Sequence, residues 1–145
     1  MANTLTVVYR NNLLGGGAHP GYVDWNADTI KFHLIDGADH TFNATTNEDE
    51  ADITNAAIVA TGTLANVTIG SVAAGTVDAD NTTLSSVTGD QSEYIVFWKD
   101  TGTDTTSPLL IMMDTFASGM PVTPNGGDIV FSWNASGIAQ IGAGS

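Results

Sequence analysis

Strand-forming segments recur along the whole chain at short intervals, each closed by Gly, Asp, Asn or Pro, and that rhythm constrains the fold more than any other feature. Two of them, YIVFW (residues 94–98) and LLIMM (residues 109–113), are apolar at every position. Such runs belong to central strands covered on two sides, or to strands at a subunit contact. TIKFHLI (residues 29–35) instead sets Ile30, Phe32 and Leu34 against Lys31 and His33, which predicts a half-buried strand with Lys31 and His33 on the wet face. LTVVYR (5–10), AIVATGTL (57–64), VTIGSV (67–72), GTVDA (75–79) and TTLSSV (82–87) supply further strand candidates without a helical repeat. In VTPNGGDIVFSW (122–133), Pro124 presets a turn, Gly126 and Gly127 accept positive φ, and Ile129, Phe131 and Trp133 then alternate inward, to line the core with Phe97 or Trp98.

Helical signals are confined to NEDEADITNAAI (47–58), where Asn47 is placed to cap one or two turns that carry Glu48, Asp49 and Glu50 near the positive end. NNLLGGGAHPGYVDWN (11–26) holds too many glycines for regular structure and reads as a loop anchored by Tyr22, Val23 and Trp25. The expectation is an all-β, single-domain β-sandwich spanning residues 1–145, with roughly seven or more strands and at most one short helix. Residues 1–12 form an N-terminal arm or first strand, and residues 134–145 a closing segment with a Gly/Ser end.

At 145 residues, such a domain buries about 70% of its unfolded surface in one core. With 42% hydrophobic and 13% charged residues it has the apolar content to fold. No cysteine is present, so the core has no disulfide to support it, and thiol nucleophiles and thiolate zinc sites are excluded. Sixteen Asp and Glu face three cations (Arg10, Lys31, Lys99), a net charge of -13. Nucleic acid and anionic membrane surfaces both demand clustered Lys and Arg, so neither is an expected partner. The acidity instead confers solubility and mutual repulsion between folded units. Met1 is followed by no basic n-region and no apolar run approaches the ~20 residues of a membrane span, which points to a soluble protein made in a cytoplasm.

Catalytic patterns do not emerge. There is no Gly-x-Ser-x-Gly elbow, no His-Glu-x-x-His and no phosphate loop ending in Gly-Lys-Ser/Thr. Gly15, Gly16 and Gly17 are followed by no cation and no helix signal, which favours a flexible loop over a phosphate cradle. His19 precedes Pro20, His33 sits on a strand and His40 in an Asp-rich loop, so a metal site would require the fold to gather all three. The pairs Asp36/Asp39, Asp78/Asp80 and Asp100/Asp104 offer hard oxygens of the kind calcium takes, but none has the spacing of the twelve-residue calcium loop, and Asp is a common turn former. Tyr22 and Trp25 offer stacking surface for a sugar, against the plainer reading of a small satellite core. No cofactor and no enzymatic activity are expected.

The run GDQSEYIVFWKDTGTDTTSPLLIMMDTFASGMPVTPNGGDIVFSW (89–133) resembles a family of small structural proteins of tailed bacteriophages. In that family a Gly-Asp-x-x-Glu strand leads to Lys-Asp-Thr-Gly-Thr, then Thr-Ser-Pro-Leu, an apolar strand ending in Asp, Leu-Pro-Val-Thr-Pro-Asn-Gly-Gly-Asp and a final strand with Trp. GGG (15–17), DTIKFHLID (28–36) and VDADNTTLSSVTGDQSE (77–93) extend the likeness, which is weakest over residues 41–72. Met120 stands where the family more often has Leu, a swap of similar volume, and the tail after Trp133 lacks a basic residue. The resemblance implies a jelly-roll-like sandwich acting as a capsid decoration, or cement, protein. Its implied partners are the major capsid protein and itself, as a dimer or trimer, and its implied place is the outer capsid surface of the virion after synthesis in the bacterial host cytoplasm. The rival from another class is a tail fibre-tip or receptor- and glycan-binding β-module. A small enzyme acting on cell-wall polymer would need a carboxylate pair in a cleft, whereas the acids here fall mostly in turns.

Overall fold

In the computed structural model, which describes residues 3–14, 23–114 and 119–141, a five-stranded antiparallel sheet forms the spine. Its strands are β1 (Thr4–Leu5), β2 (Ile30–Ile35), β3 (Ile58–Thr63), β7 (Tyr94–Lys99) and β8 (Leu109–Met113), in the order β1-β8-β7-β2-β3. Phe32 lies opposite Phe97, and Phe97 opposite Ile111. A register shift at Phe97/Trp98 leaves Leu110 as an extra residue on β8, so Leu110 and Ile111 both reach the same core. Five short strands, of two or three residues each, complete the set: β4 (Thr68–Ile69), β5 (Thr76–Asp78), β6 (Thr82–Leu84), β9 (Ile129–Phe131) and β10 (Ala139–Gln140). They build two small sheets, β6-β9 and β10-β5-β4. The described residues are thus all-β with one short α-helix.

Both faces of the spine are buried within one chain. On the first face, Ile30, Phe32, Leu34, Ile95, Phe97 and Ile111 pack under Leu84, Val77, Phe131 and Ile138 of the small sheets, and with Tyr9 and Trp25. On the second, Ile35, Tyr94, Val96, Trp98, Leu109 and Met112 are covered by Phe42, Ile53 and Ala57. That cover is not a sheet but the irregular segment between β2 and β3. It corrects the half-buried reading of β2, in which His33 is as buried as its apolar neighbours. It also selects between the two readings of YIVFW and LLIMM: both are covered by their own chain, and neither needs a subunit contact to hide it.

The turn before β9 forms as the sequence implies, with a correction. Gly126 alone takes the left-handed conformation (φ 85°), its N–H donating to Val87 O, while Gly127 does not. Phe131 and Trp133 pack edge-on to Phe32 at 5.0 and 5.5 Å between ring centres, and Trp133 lies 5.7 Å from Phe97. The partner is therefore Phe97, because Trp98, one residue on, points through the sheet to the other core.

Two local expectations fail for identifiable reasons. Residues 5–10 do not continue as a strand: after β1, Thr6 caps helix α1 (Val7–Leu13), its Oγ1 accepting from Tyr9 N at 3.1 Å and donating to Leu109 O at 2.6 Å. A buried cap tied to β8, with Val8 and Tyr9 packed inward, overrides the β preference of two valines. The same helix takes up residues 11–13 of the predicted loop; Gly15–Gly17, His19 and Tyr22 lie outside the described residues. Residues 47–58 form two 3-10 turns, Glu50–Asp52 and Asn55–Ala57, in place of an α-helix. Here Asn47 Oδ1 accepts from Asn43 N, and Asp52 Oδ2 from the amides of Glu48 and Asp49, so side chains compete for the backbone donors a helix would use.

Gly62 faces Phe32 across β2 and β3, and a Cβ there would overlap the Phe32 ring. Gly62→Ala should cost about 1–3 kcal/mol through overpacking. Trp133→Ala, at a half-buried site, should cost about 2–4 kcal/mol. Urea denaturation midpoints check both; an unchanged midpoint for Trp133→Ala would mean that the indole does not close the first core.

Candidate functional site

The densest cluster of chemistry-bearing side chains lies where the second face meets its cover. His33 stands mid-strand on β2, with Nδ1 2.8 Å from Thr61 Oγ1 on the neighbouring β3 and Nε2 2.8 Å from Glu50 Oε1. Its ring packs 5.1 Å from that of Trp98. Glu50 begins the first 3-10 turn of the cover and also bonds to Asp104. At the margin, Lys31 pairs with Asp100 at 2.6 Å and lies 5.4 Å above the Trp98 ring. Lys99 pairs with Asp28 at 2.9 Å.

Burial sets the protonation states. Desolvation lowers the His33 pKa to about 4, although Asp104 pulls the other way, so the ring is neutral at pH 7. A neutral ring that donates from Nε2 to Glu50 leaves Nδ1 to accept the Thr61 hydroxyl. Burial first, and then Asp104, raise the Glu50 carboxyl above its usual range, whereas the Lys31 contact lowers Asp100. Burial likewise raises Tyr94, whose hydroxyl donates to His40 O at 2.7 Å and fastens the cover from another strand.

A hydroxyl, an imidazole and a carboxylate in line have the order of a nucleophile, base and orienter. The energetics oppose that use, because a histidine held near pKa 4 has little appetite for a hydroxyl proton at neutral pH. The arrangement acts as a clamp: His33 joins β2, β3 and the cover through two hydrogen bonds, and Glu50 carries the connection on toward Asp104.

Of the six carboxylates in the acidic pairs flagged as calcium candidates, three accept local backbone N–H bonds and a fourth accepts from a side-chain amide. Asp36 Oδ1 accepts from Ala38 N, Asp78 Oδ1 from Ala79 N, Asp80 Oδ2 from Asn66 Nδ2 and Asp100 Oδ1 from Gly102 N. Among the described residues no group of three or more His, Asp or Glu is placed to hold a metal ion. His40 is buried away from His33, its Nδ1 accepting from Thr54 N. Trp25 is no surface aromatic: it is buried, and its Nε1 donates to Tyr9 OH at 2.7 Å. A groove of about 310 Å³ opens beside β9, lined by Met113, Met120, Val122, Phe131, Trp133 and Ile138 among others. No helix of the described residues is long and apolar enough to cross a membrane.

Sequence reasoning placed His33 on a wet face and so missed the clamp. The available signal was a single polar residue flanked by Phe32 and Leu34, but its partner lies seventeen residues away in a loop whose path the strand pattern does not encode.

His33 has its folded pKa, about 4, below the unfolded value of 6.5, so between these values the unfolded chain binds more protons. Its contribution is complete above pH 6.5 and declines as pH falls toward 4. Glu50, with a raised pKa, acts in the opposite sense: it favours the folded state in acid and withdraws that favour as pH rises. His33→Gln keeps a donor and an acceptor and removes the titration. Relative to this variant, the wild type should lose on the order of 2–3 kcal/mol between pH 7 and pH 4. Chemical denaturation at both pH values measures it, and a constant difference would show that His33 is not held neutral.

No protein-family profile matches the chain, and no curated protein matches it significantly.

Proposed function

We propose that this protein is a structural component of a tailed-phage particle, a capsid decoration protein that binds the outside of the head and stabilises contacts between capsomers. The observation that carries the reading is the resemblance over residues 89–133. That stretch contributes β7, β8 and β9, two of the three interior strands of the spine and the strand that leads into Trp133, so the part of the chain with the likeness includes the centre of the fold. The layering of small sheets on a five-stranded spine is compatible with the implied jelly-roll-like sandwich.

Physical features support the same reading. Each copy buries both faces of its central sheet, so it can fold before it meets a shell and bind as a finished unit. Decoration then works by mass action: copies that bind assembled capsomers better than separated ones shift the equilibrium toward the closed shell, and many modest contacts add. A net charge of -13 favours a basic patch on the major capsid protein, or contact through uncharged surface. The chemistry of the site is structural, and we assign no enzymatic activity. Glycan binding at a fibre tip is the weaker reading, since Trp25 spends its indole in the core.

Heads lacking the protein should rupture at a temperature several degrees below that of complete heads, and purified protein added back should restore the difference. Heads that are equally robust without it, yet fail to attach to cells, would transfer the assignment to the fibre tip.

A further inference from the structure

The charged residues are distributed very unevenly. Between Asp52 and Asp78 lie 25 consecutive residues without Asp, Glu, Lys, Arg or His, and none occurs after Asp128 either. The fold brings these two stretches together. The first supplies β4 and most of β5, the second supplies β10, and the three strands are neighbours in the sheet β10-β5-β4. Only Asp78, at the end of β5, interrupts an otherwise uncharged sheet, and its carboxylate is bonded to Ala79 N.

Among the described residues the outer strand of that sheet is open: β4 pairs with β5 alone, and both its residues are exposed. Ile69 and Val72, on the same hairpin, are 51% and 45% exposed, among the few large apolar side chains left in water. The hairpin is firmly built. Gly70 N donates to Thr76 O at 2.8 Å, the Thr76 hydroxyl bonds to Ala73 O at 2.6 Å, and Thr68 and Ser71 join hydroxyls at 2.9 Å. Gly70 and Gly75 take the positive φ that the turn needs.

Soluble proteins ordinarily guard a free strand edge with Lys, Pro, a bulge or an inward charge, because unpaired backbone groups recruit other strands. At two residues β4 is short, which is itself a guard, but from Thr68 to Val77 the hairpin has no Lys, Pro or charge, and it displays apolar side chains as well. We infer that the β4 edge with its hairpin is a self-association surface, on which a second copy of this chain pairs β4 against β4 about a two-fold axis. Charge identifies the occupant. Two molecules of net charge -13 repel wherever carboxylates meet, and this uncharged sheet is where close approach costs least. A two-fold contact is self-complementary, so one edge serves both copies and the three-stranded sheets join into one of six strands. The inference does not depend on the capsid reading.

Sedimentation velocity of the full chain, from about 1 µM to 1 mM, tests it. Screening of the carboxylates should strengthen association as NaCl rises from 10 to 500 mM, the reverse of a contact held by salt bridges. Ile69→Glu and Val72→Glu restore a charge to each side of the axis and should each weaken dimerisation by about tenfold or more. Thr46→Glu, an exposed position on the cover over the other face, should leave it unchanged. Circular dichroism should report the same fold for all three, since the altered side chains are exposed. A wild type that stays monomeric at 1 mM in 500 mM salt overturns the inference, as do glutamate variants that associate like the wild type. A monomeric wild type that binds phage heads through Ile69 and Val72 overturns it in favour of the shell as occupant.

Discussion

β7 is the element on which everything else depends. Tyr94, Val96 and Trp98 enter one core and Ile95 and Phe97 the other, so a single strand forces the chain to build a cover on each side. With no cysteine to staple the layers, those covers must hold by packing and hydrogen bonding. On one side the answer is regular: small antiparallel sheets that bring Leu84, Phe131 and Trp133 over Phe32 and Phe97. On the other it is an irregular segment, and irregular backbone needs individual fastenings. Ala44 O accepts from Val7 N, Glu48 O from Leu109 N, and Ser107 O from Glu50 N, while His40 O takes the Tyr94 hydroxyl. The His33–Glu50 contact belongs to this series and joins two ionisable side chains.

Placing that contact inside the protein has consequences for charge. A buried histidine is most cheaply kept neutral, and burial, with Asp104 beside it, holds the Glu50 carboxyl above its usual range. Both groups satisfy the hydrogen bonds of the other without a full ion pair, which limits the desolvation cost that buried salt bridges carry. The half-buried lysine pairs, Lys31–Asp100 and Lys99–Asp28, close the end of the β2–β7 ladder at the margin of the sheet, where partial contact with water keeps their contribution modest. Function, in the reading proposed above, follows from the same economy: a chain that completes its own core is free to use its edges and surfaces for assembly.

The spine was legible in the sequence because continuous apolar runs and period-two alternation report directly on burial. YIVFW and LLIMM were interior strands, and Phe131 and Trp133 turned into the core that holds Phe97, as their spacing indicated. What the sequence hid was anything decided by partners far along the chain. Thr6 reads as one more β-branched residue until Leu109 O and Tyr9 N make it a buried cap. His33 reads as solvent-facing because alternation assumes one wet side, and the loop that dries that side has no pattern of its own. Residues 47–58 carry helix-compatible charges, yet Asn47 and Asp52 divert the local backbone into 3-10 turns.

Native-state hydrogen exchange of the chain over a wide range of protein concentration tests most directly that one copy closes both faces of its own sheet. The amides of β2, β7 and β8 should be the slowest, opening only with global unfolding, and their protection should be the same at micromolar and millimolar protein. Protection of β7 and β8 that is weak in dilute solution and grows with concentration would contradict the account, for it would mean that a neighbouring molecule completes the core.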